Sequence, residues 1–520
     1  MDAKKLLFFA LISLFSIIEG CKKAEVETDE CDADPTACGC PQEPPSCSDP
    51  GNNGGQTLSG KVYVSPNGSD SNDGSEGKPF KTIQKAADVA DPAKGLEIIL
   101  RGGIHLSEEV KFRTSNINLH SYPGEWAVIK AIMTVEDISS CLWFREPESE
   151  NITIENVEII GGYYYGIKFE SNWDDDRSVP FDKRRGVRNI KILNCKIHDT
   201  GRDCIKITPG CQNIQVLNCE IYRSGVGPAN ISAQNAEGID NVNGSNMTVR
   251  NCYFHDIATN ALYAKGGAKD CIFEQNLIMN CGEGGLVAGY LDTDAEWFNT
   301  ISNPTYFESI NIIIRNNIVV NTKWEGIGLY AALNAQVYNN TLINVAQEAS
   351  AALMIARGEI YGTPKGDQYP NCKDLKISNN IFVQTAAAKG YIARLRGIPQ
   401  GTNELSNNVY FKPGTLTFRI DKSDDDYTEF EGFANWKTQS KFDASSINVD
   451  PKLDGQYHLT AGSPCIGIGK ALGTLVEKDY DGGARGAKPD IGADQAGNGT
   501  ALTIPPPIVA TGTKGTGGGN

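Results

Sequence analysis

The chain has 520 residues, with 48 Lys+Arg against 64 Asp+Glu for a net charge of −16, and it carries 55 Gly, 24 Pro and 15 Cys. That balance argues against a nucleic-acid partner, since a phosphate backbone calls for a basic face. It leaves an acidic polysaccharide open, because a bound cation and a few local Lys or Arg can hold one whatever the net charge.

The first twenty residues read as an export signal: Lys4 and Lys5, then an apolar run from Leu6 to Ile18, too short to span a bilayer comfortably. Ile18-Glu19-Gly20-Cys21 resembles a bacterial lipobox, with Glu19 unusual in it. The expectation is an exported protein, anchored at the outer membrane or cell surface through a lipid on Cys21, or otherwise secreted. Residues 21–59 contain Cys31, Cys38, Cys40 and Cys47 among Pro, Asp and Glu, and read as a flexible tether. Small disulfide loops are an alternative there. Lys61-Val-Tyr-Val is a short strand, and residues 67–77 form a polar loop. The spacing of Ile83, Ala87 and Ala90 predicts a helix over 79–90 that plugs the first of a series of coils.

From about residue 96 the sequence repeats. Ile190-Lys-Ile-Leu-Asn-Cys is followed by Ile214-Gln-Val-Leu-Asn-Cys, Met247-Thr-Val-Arg-Asn-Cys, Ile312-Ile-Ile-Arg-Asn-Asn and Leu375-Lys-Ile-Ser-Asn-Asn. Asn194, Asn218, Asn251, Asn276, Asn317, Asn340, Asn380 and Asn408 are read as one shared turn position, with Asn156 an earlier member. The shortest spacings, 23 to 25 residues, suffice for one three-sided coil. Alternating apolar and polar residues give each strand an inner face, and Asn suits a left-handed turn. The prediction is an all-β, right-handed parallel β-helix over 60–425. Cys195, Cys219 and Cys252 form an interior column in it, and His198 and His255 stand at coil edges. Residues 426–495 are read as a C-terminal cap, and 496–520, rich in Gly, Thr and Pro, as a disordered tail.

Each coil has a further strand after the Asn turn. Aligned on the first large apolar residue, these run Asp203-Cys-Ile, Glu237-Gly-Ile, Asn260-Ala-Leu, Gly284-Gly-Leu, Glu325-Gly-Ile, Ala351-Ala-Leu and Gly390-Tyr-Ile. Asp203 and Glu237 lie two positions before the anchor, and Asp240 and Lys206 one after it. Lys265 points outward on the next coil. With coils ~4.8 Å apart, Asp203, Glu237, Asp240 and Lys265 can share one outer patch. Three carboxylates together need a cation, and Ca2+ accepts such an irregular oxygen set. The alternative is a mixed-charge ladder in which Lys206 simply pairs with Asp240. Insertions at about 163–188, 225–235, 290–309 and 357–371 are expected on one side, walling a groove. They carry Tyr163, Tyr164, Tyr165, Trp173, Tyr290, Trp297 and Tyr306 as candidate sugar platforms. Arg357, Arg394 and Arg396 lie on later coils as candidate carboxylate partners.

The opening Tyr63-Val-Ser-Pro-Asn-Gly-Ser-Asp, with Lys78-Pro-Phe-Lys-Thr-Ile, and the coils through Tyr290 resemble polysaccharide lyase family nine, which includes pectate and rhamnogalacturonan lyases. The family's calcium motif, Asp-Asp-Gly-aromatic-Asp, is matched by Ala236-Glu237-Gly238-Ile239-Asp240. Here Ala, Glu and Ile replace the first acid, the second acid and the aromatic. The resemblance implies metal ligands Asp203, Glu237 and Asp240 for Ca2+. It implies a base at Lys265 of Lys265-Gly266-Gly267, with Lys206 as the other candidate, and substrate contacts from Arg357, Arg394 and Tyr290. The function implied is β-elimination on a uronate-containing, pectin-like polysaccharide by a monomeric enzyme. A non-catalytic surface β-helix, acting as an adhesin or glycan-binding module, is the rival reading. An inverting hydrolase ranks last, because the chain has no Gly-His-Gly run.

Overall fold

A computed structural model describes residues 57–145, 149–230, 235–423 and 425–498. The expected signal, the Cys21 anchor, nearly all of the tether and the tail beyond 498 lie outside the described residues. The architecture is the right-handed parallel β-helix. One coil runs through Arg188–Leu193, Lys196–His198 and Ile205–Ile207 before the next begins at Gln212–Leu217. Each strand pairs in parallel with its counterparts one coil away. Among the described residues this builds sheets of 15, 12 and 11 strands that form the three long faces.

The period-2 pattern explains the stacking. Ile190 and Ile192 point inward while Lys191 points out, and Ile190, Ile214 and Met247 stand in register. Phe112, Phe144 and Phe169 stack in the same way, with ring centroids 4.6 and 5.2 Å apart.

The asparagines proved to be two columns. Strand register aligns Asn251 with Gln275 and Asn316, and Cys252 with Asn276 and Asn317. Asn194, Asn218, Asn251, Asn316, Asn339, Asn379 and Asn407 take the left-handed conformation, with φ between 50° and 61°. One residue further on, Cys195, Cys219 and Cys252 hand over to Asn276, Asn317, Asn340, Asn380 and Asn408 as a buried inner column. The sequence motifs Asn-Cys and Asn-Asn share their first residue, and reading the Asn-Asn pairs on their second residue merged the columns. The last aligned strand is also shifted by one: Ala393, not Ile392, pairs with Leu353. Both residues are apolar and buried, so hydropathy could not choose between them.

At the start of the solenoid, the helix Ile83–Asp88 is capped by the Thr82 side chain and buries Ile83, Ala86 and Ala87. Its Gln84 amide donates to Lys111 O at 3.2 Å and accepts from Lys111 N at 2.8 Å, so it satisfies the free edge of Val110–Phe112. At the far end Tyr427–Glu431 pairs antiparallel with Thr417–Asp421. The helix Phe433–Ser440 places Trp436 on Phe418, with ring centroids 4.8 Å apart. The chain beyond does more than close the end. It runs back along the outer asparagine column, where Asn316 donates to Lys478 O (2.8 Å) and Asn339 to Asp490 O and Gly492 O (both 3.0 Å).

The insertions divide between two sides. Residues 170–187, 289–308 and 357–372 all leave the 12-stranded sheet toward the 15-stranded one. They join one another: Asp292–Asp294 pairs with Glu359–Tyr361, and Trp173 meets Trp297 edge-on at 4.9 Å with Arg177 over both rings. Trp173, fully buried, is thus a loop-packing residue and not a sugar platform. Residues 223–230 and 235–238 instead lie on the opposite edge of the 12-stranded sheet, so its outer face is flanked on both sides.

Candidate functional site

Register puts Ile205, Ile239 and Leu262 side by side in the 12-stranded sheet, with Lys206, Asp240 and Tyr263 next to them on the outward face. Asp203 and Glu237 enter from the corner two residues earlier, where Cys204 N donates to Glu237 O at 2.9 Å. The structure therefore gathers Asp203, Glu237 and Asp240, each with a carboxylate oxygen within 4.8 Å of the others. Their exposures are 1%, 4% and 0%.

Half of the carboxylate oxygens are tied down. Glu237 N donates to Asp203 Oδ1 at 3.1 Å, the Thr259 hydroxyl donates to Glu237 Oε1 at 3.0 Å, and Lys206 Nζ donates to Asp240 Oδ2. Lys206 Nζ also lies 3.9 Å from Asp203 Oδ2. The other oxygens, Asp203 Oδ2, Glu237 Oε2 and Asp240 Oδ1, have no hydrogen-bond partner. Burial pushes the Asp203 carboxyl up, with Lys206 pulling against it. Burial and the adjacent Asp203 and Asp240 push Glu237 well above the usual carboxylate range. For Lys206, burial favours the neutral amine, but Asp240 and Asp203 outweigh it and hold the group above its ordinary value.

Three clustered, buried carboxylates, each with one oxygen that has no hydrogen bond, are a donor set that a hard cation fits. Asp203, Glu237 and Asp240 would be its protein ligands.

Lys265 lies on the next coil, beside Val242 in register. Its ammonium sits 4.9 Å from the Tyr263 ring centroid and 4.8 Å from that of Tyr290, and the two rings stack 5.6 Å apart. Among the described residues the Lys265 ammonium makes no hydrogen bond or ion pair, while its backbone carbonyl accepts from Asn243 N at 2.8 Å. The turn after it is tight: Gly266 and Gly267 have φ of 64° and 90°, and a Cβ on Gly266 would lie 3.2 Å from Val242 Cγ1. Gly266 N donates to Glu308 Oε2 at 2.8 Å. Glu308 is fully buried, and that burial pushes it up to about 7. Glu308 is far off in sequence, and no motif pointed to it.

The arginines fall elsewhere. Arg394 occupies the same outward column as Asp240, but five coils on, about 24 Å at ~4.8 Å per coil. It is paired to Asp421 Oδ2 at 2.6 Å. Arg357 lies over the Tyr369 ring at 5.3 Å. Two further features went unread in the sequence. Upstream in the same column, Trp143 is surrounded by Lys111, Arg145 and Lys168 at 4.6 to 4.9 Å. Downstream, Glu283 accepts from Asn260 Nδ2 at 3.0 Å, and burial, aided by Glu325, pushes it up to about 7. Both become visible only once coils of unequal length are set in register.

A family model described as "Right handed beta helix region" matches residues 185–356. Among solved structures the chain is similar to pectate lyase Pel9A, with TM-score 0.51 and 15% identity over 84% of this chain and 97% of that one. It is similar to a rhamnogalacturonan lyase (TM-score 0.37, 14% identity, 62% and 87%) and to PfbA, a surface adhesin of Streptococcus pneumoniae (TM-score 0.44, 11%, 66% and 88%). No curated protein matches the chain in sequence. The likeness to Pel9A establishes the class: a right-handed parallel β-helix protein, here with a buried carboxylate cluster on one outer face.

Proposed function

We propose that the protein is a calcium-dependent polysaccharide lyase that cuts a uronate-containing chain by β-elimination. The observation that carries this reading is the set of three buried, partnerless oxygens of Asp203, Glu237 and Asp240 beside an unpaired Lys265. The resemblance of these positions to the lyase family nine motifs supports it, as does a fold shared with pectate lyase Pel9A.

Bound to the three carboxylates, Ca2+ would neutralise a uronate carboxylate and favour charge developing next to it. The chain's own part is proton transfer and placement. Lys265, packed against Tyr263 and Tyr290, takes the proton from the carbon next to the uronate carboxylate. The electron pair left behind forms the new carbon–carbon double bond as the bond to the glycosidic oxygen breaks, and that oxygen leaves as a hydroxyl after taking a proton from solvent. Glu308 fixes the Lys265 turn by accepting from Gly266 N. Lys206 is the poorer base, since Asp240 and Asp203 keep it protonated.

The test is incubation with pectin, rhamnogalacturonan, alginate and chondroitin, with Ca2+ or with EDTA, following unsaturated product by ultraviolet absorbance. Product that disappears with EDTA and in Lys265→Ala is expected, a loss of about 10²-fold or more. Full activity in Lys265→Ala would remove that residue from the reaction. Two observations favour the second reading, a glycan-binding surface protein: Ala236 stands where the motif has its first acid, and Lys206 already neutralises Asp240. Binding without product from any of the four polymers would select it.

A further inference from the structure

We infer that Lys206 is a tethered cation that occupies the Asp203–Glu237–Asp240 cluster and must be displaced for a divalent ion to bind. The inference rests on the metal site proposed above but not on catalysis. Its first support is position. Register sets Lys206 directly beside Asp240 on the adjacent coil, and its ammonium contacts Asp240 Oδ2 and lies 3.9 Å from Asp203 Oδ2. The ammonium thus bridges two of the three candidate ligands.

The second support is charge. Three carboxylates at 0 to 4% exposure would be prohibitively repulsive without a cation. One ammonium offsets only part of that charge, and it leaves Asp203 Oδ2, Glu237 Oε2 and Asp240 Oδ1 without hydrogen-bond partners. The arrangement keeps the metal-free protein folded and leaves an incentive for a doubly charged ion to enter. The Lys206 side chain is 15% exposed, so it is not sealed in, and its Nζ lies 6.0 Å from the Tyr165 ring centroid. A divalent ion at the cluster and an ammonium against Asp240 compete for the same oxygens, so the lysine lowers metal affinity.

The test needs no glycan. Ca2+ affinity is measured by calorimetry on the folded wild-type protein and on Lys206→Met, together with thermal midpoints with and without Ca2+. Lys206→Met is expected to bind Ca2+ at least about tenfold tighter. Its metal-free midpoint should fall below that of the wild type and recover on adding Ca2+. Equal or weaker Ca2+ binding by the variant, or no binding by either protein, would overturn the inference. If Lys206→Met fails to fold without metal, it is refolded in Ca2+ and titrated with a chelator. In the wild type, amine-reactive labelling of Lys206, mapped by mass spectrometry, should rise several-fold with saturating Ca2+. Unchanged labelling would mean that the ion binds beside the lysine and would also overturn displacement. A protein that passes these tests but cuts no polysaccharide would sink the lyase reading alone.

Discussion

The two halves of the coil stack solve the same corner with different chemistry. In the first, the inner turn position is Cys195, Cys219 and Cys252; in the second it is Asn276, Asn317, Asn340, Asn380 and Asn408. Both side chains donate to the same kind of carbonyl. Cys252 Sγ lies 3.4 Å from Val216 O and 3.3 Å from Arg250 O, and Asn317 Nδ2 lies 2.8 Å from Phe273 O and 3.1 Å from Arg315 O. Both also accept from the coil before: Cys219 N points at Cys252 Sγ at 3.5 Å, and Cys252 N donates to Asn276 Oδ1 at 3.0 Å. The thiol column is thus a weak-hydrogen-bond copy of the asparagine ladder. The asparagines add a direct side-chain link between coils, 2.9 to 3.0 Å from each Nδ2 to the next Oδ1. The lesson is that the corner takes a compact buried side chain whose bonds are adjustable: Val157, one coil before Cys195, fills the same position with none, the thiols make weak ones and the asparagines strong ones. The carboxylate cluster lies on the coils with the weaker version.

Substituting both columns is the most forceful way to break this comparison. Asn340 donates to Ile314 O, Tyr338 O and Asn380 Oδ1, and accepts from Asn317 N and Nδ2. Asn340→Ala removes all five of these bonds and leaves the buried Asn317 N without its acceptor, although Asn317 Nδ2 keeps Phe273 O and Arg315 O, and Asn380 Oδ1 keeps Asn340 N, so a loss of about 3–5 kcal/mol is expected. Cys219→Ala removes two weak S–H contacts and one buried sulfur, so about 1 kcal/mol is expected. Urea unfolding of the two variants against the wild type measures the difference. Equal losses would mean that the thiols carry as much of the corner as the amides.

The parallel solenoid was legible in the sequence because each coil repeats the same alternation and the same turn residue. Asp203, Glu237, Asp240 and Lys265 could be placed together because their strands begin on an unambiguous Ile or Leu. Where two neighbouring residues fit the same role, sequence could not choose. Asn316 and Asn317 are both Asn, yet one turns the chain and the other fills the corner. Ile392 and Ala393 are both buried, yet only one is in register with Leu353. Glu308 and Trp143 were missed for another reason. Their importance arises from contacts between coils separated by insertions of different length, and no local pattern marks such a contact.

The smaller test carries the contrast between saturated and unsaturated buried polar groups to the proposed base. Asn340 has its side-chain amide fully engaged, whereas Glu308, equally buried, accepts from Gly266 N through Oε2 and has Oε1 without a geometrically sound partner. Burial raises its carboxyl from 4.5 to about 7. A carboxyl whose folded pKa lies above its unfolded one holds its proton more tightly in the native state. Its contribution is therefore most favourable below about 4.5 and is lost as pH rises through about 7. Glu308→Gln removes that titration, keeps an acceptor for Gly266 N and supplies an amide that can donate to the Thr293 hydroxyl. The variant should unfold near the wild-type midpoint at pH 5. At pH 8 it should be the more stable protein by up to roughly 3 kcal/mol. Thermal midpoints at the two pH values decide the matter. A difference that does not change with pH would show that Glu308 ionises as freely as a surface carboxylate and that its burial holds nothing in reserve.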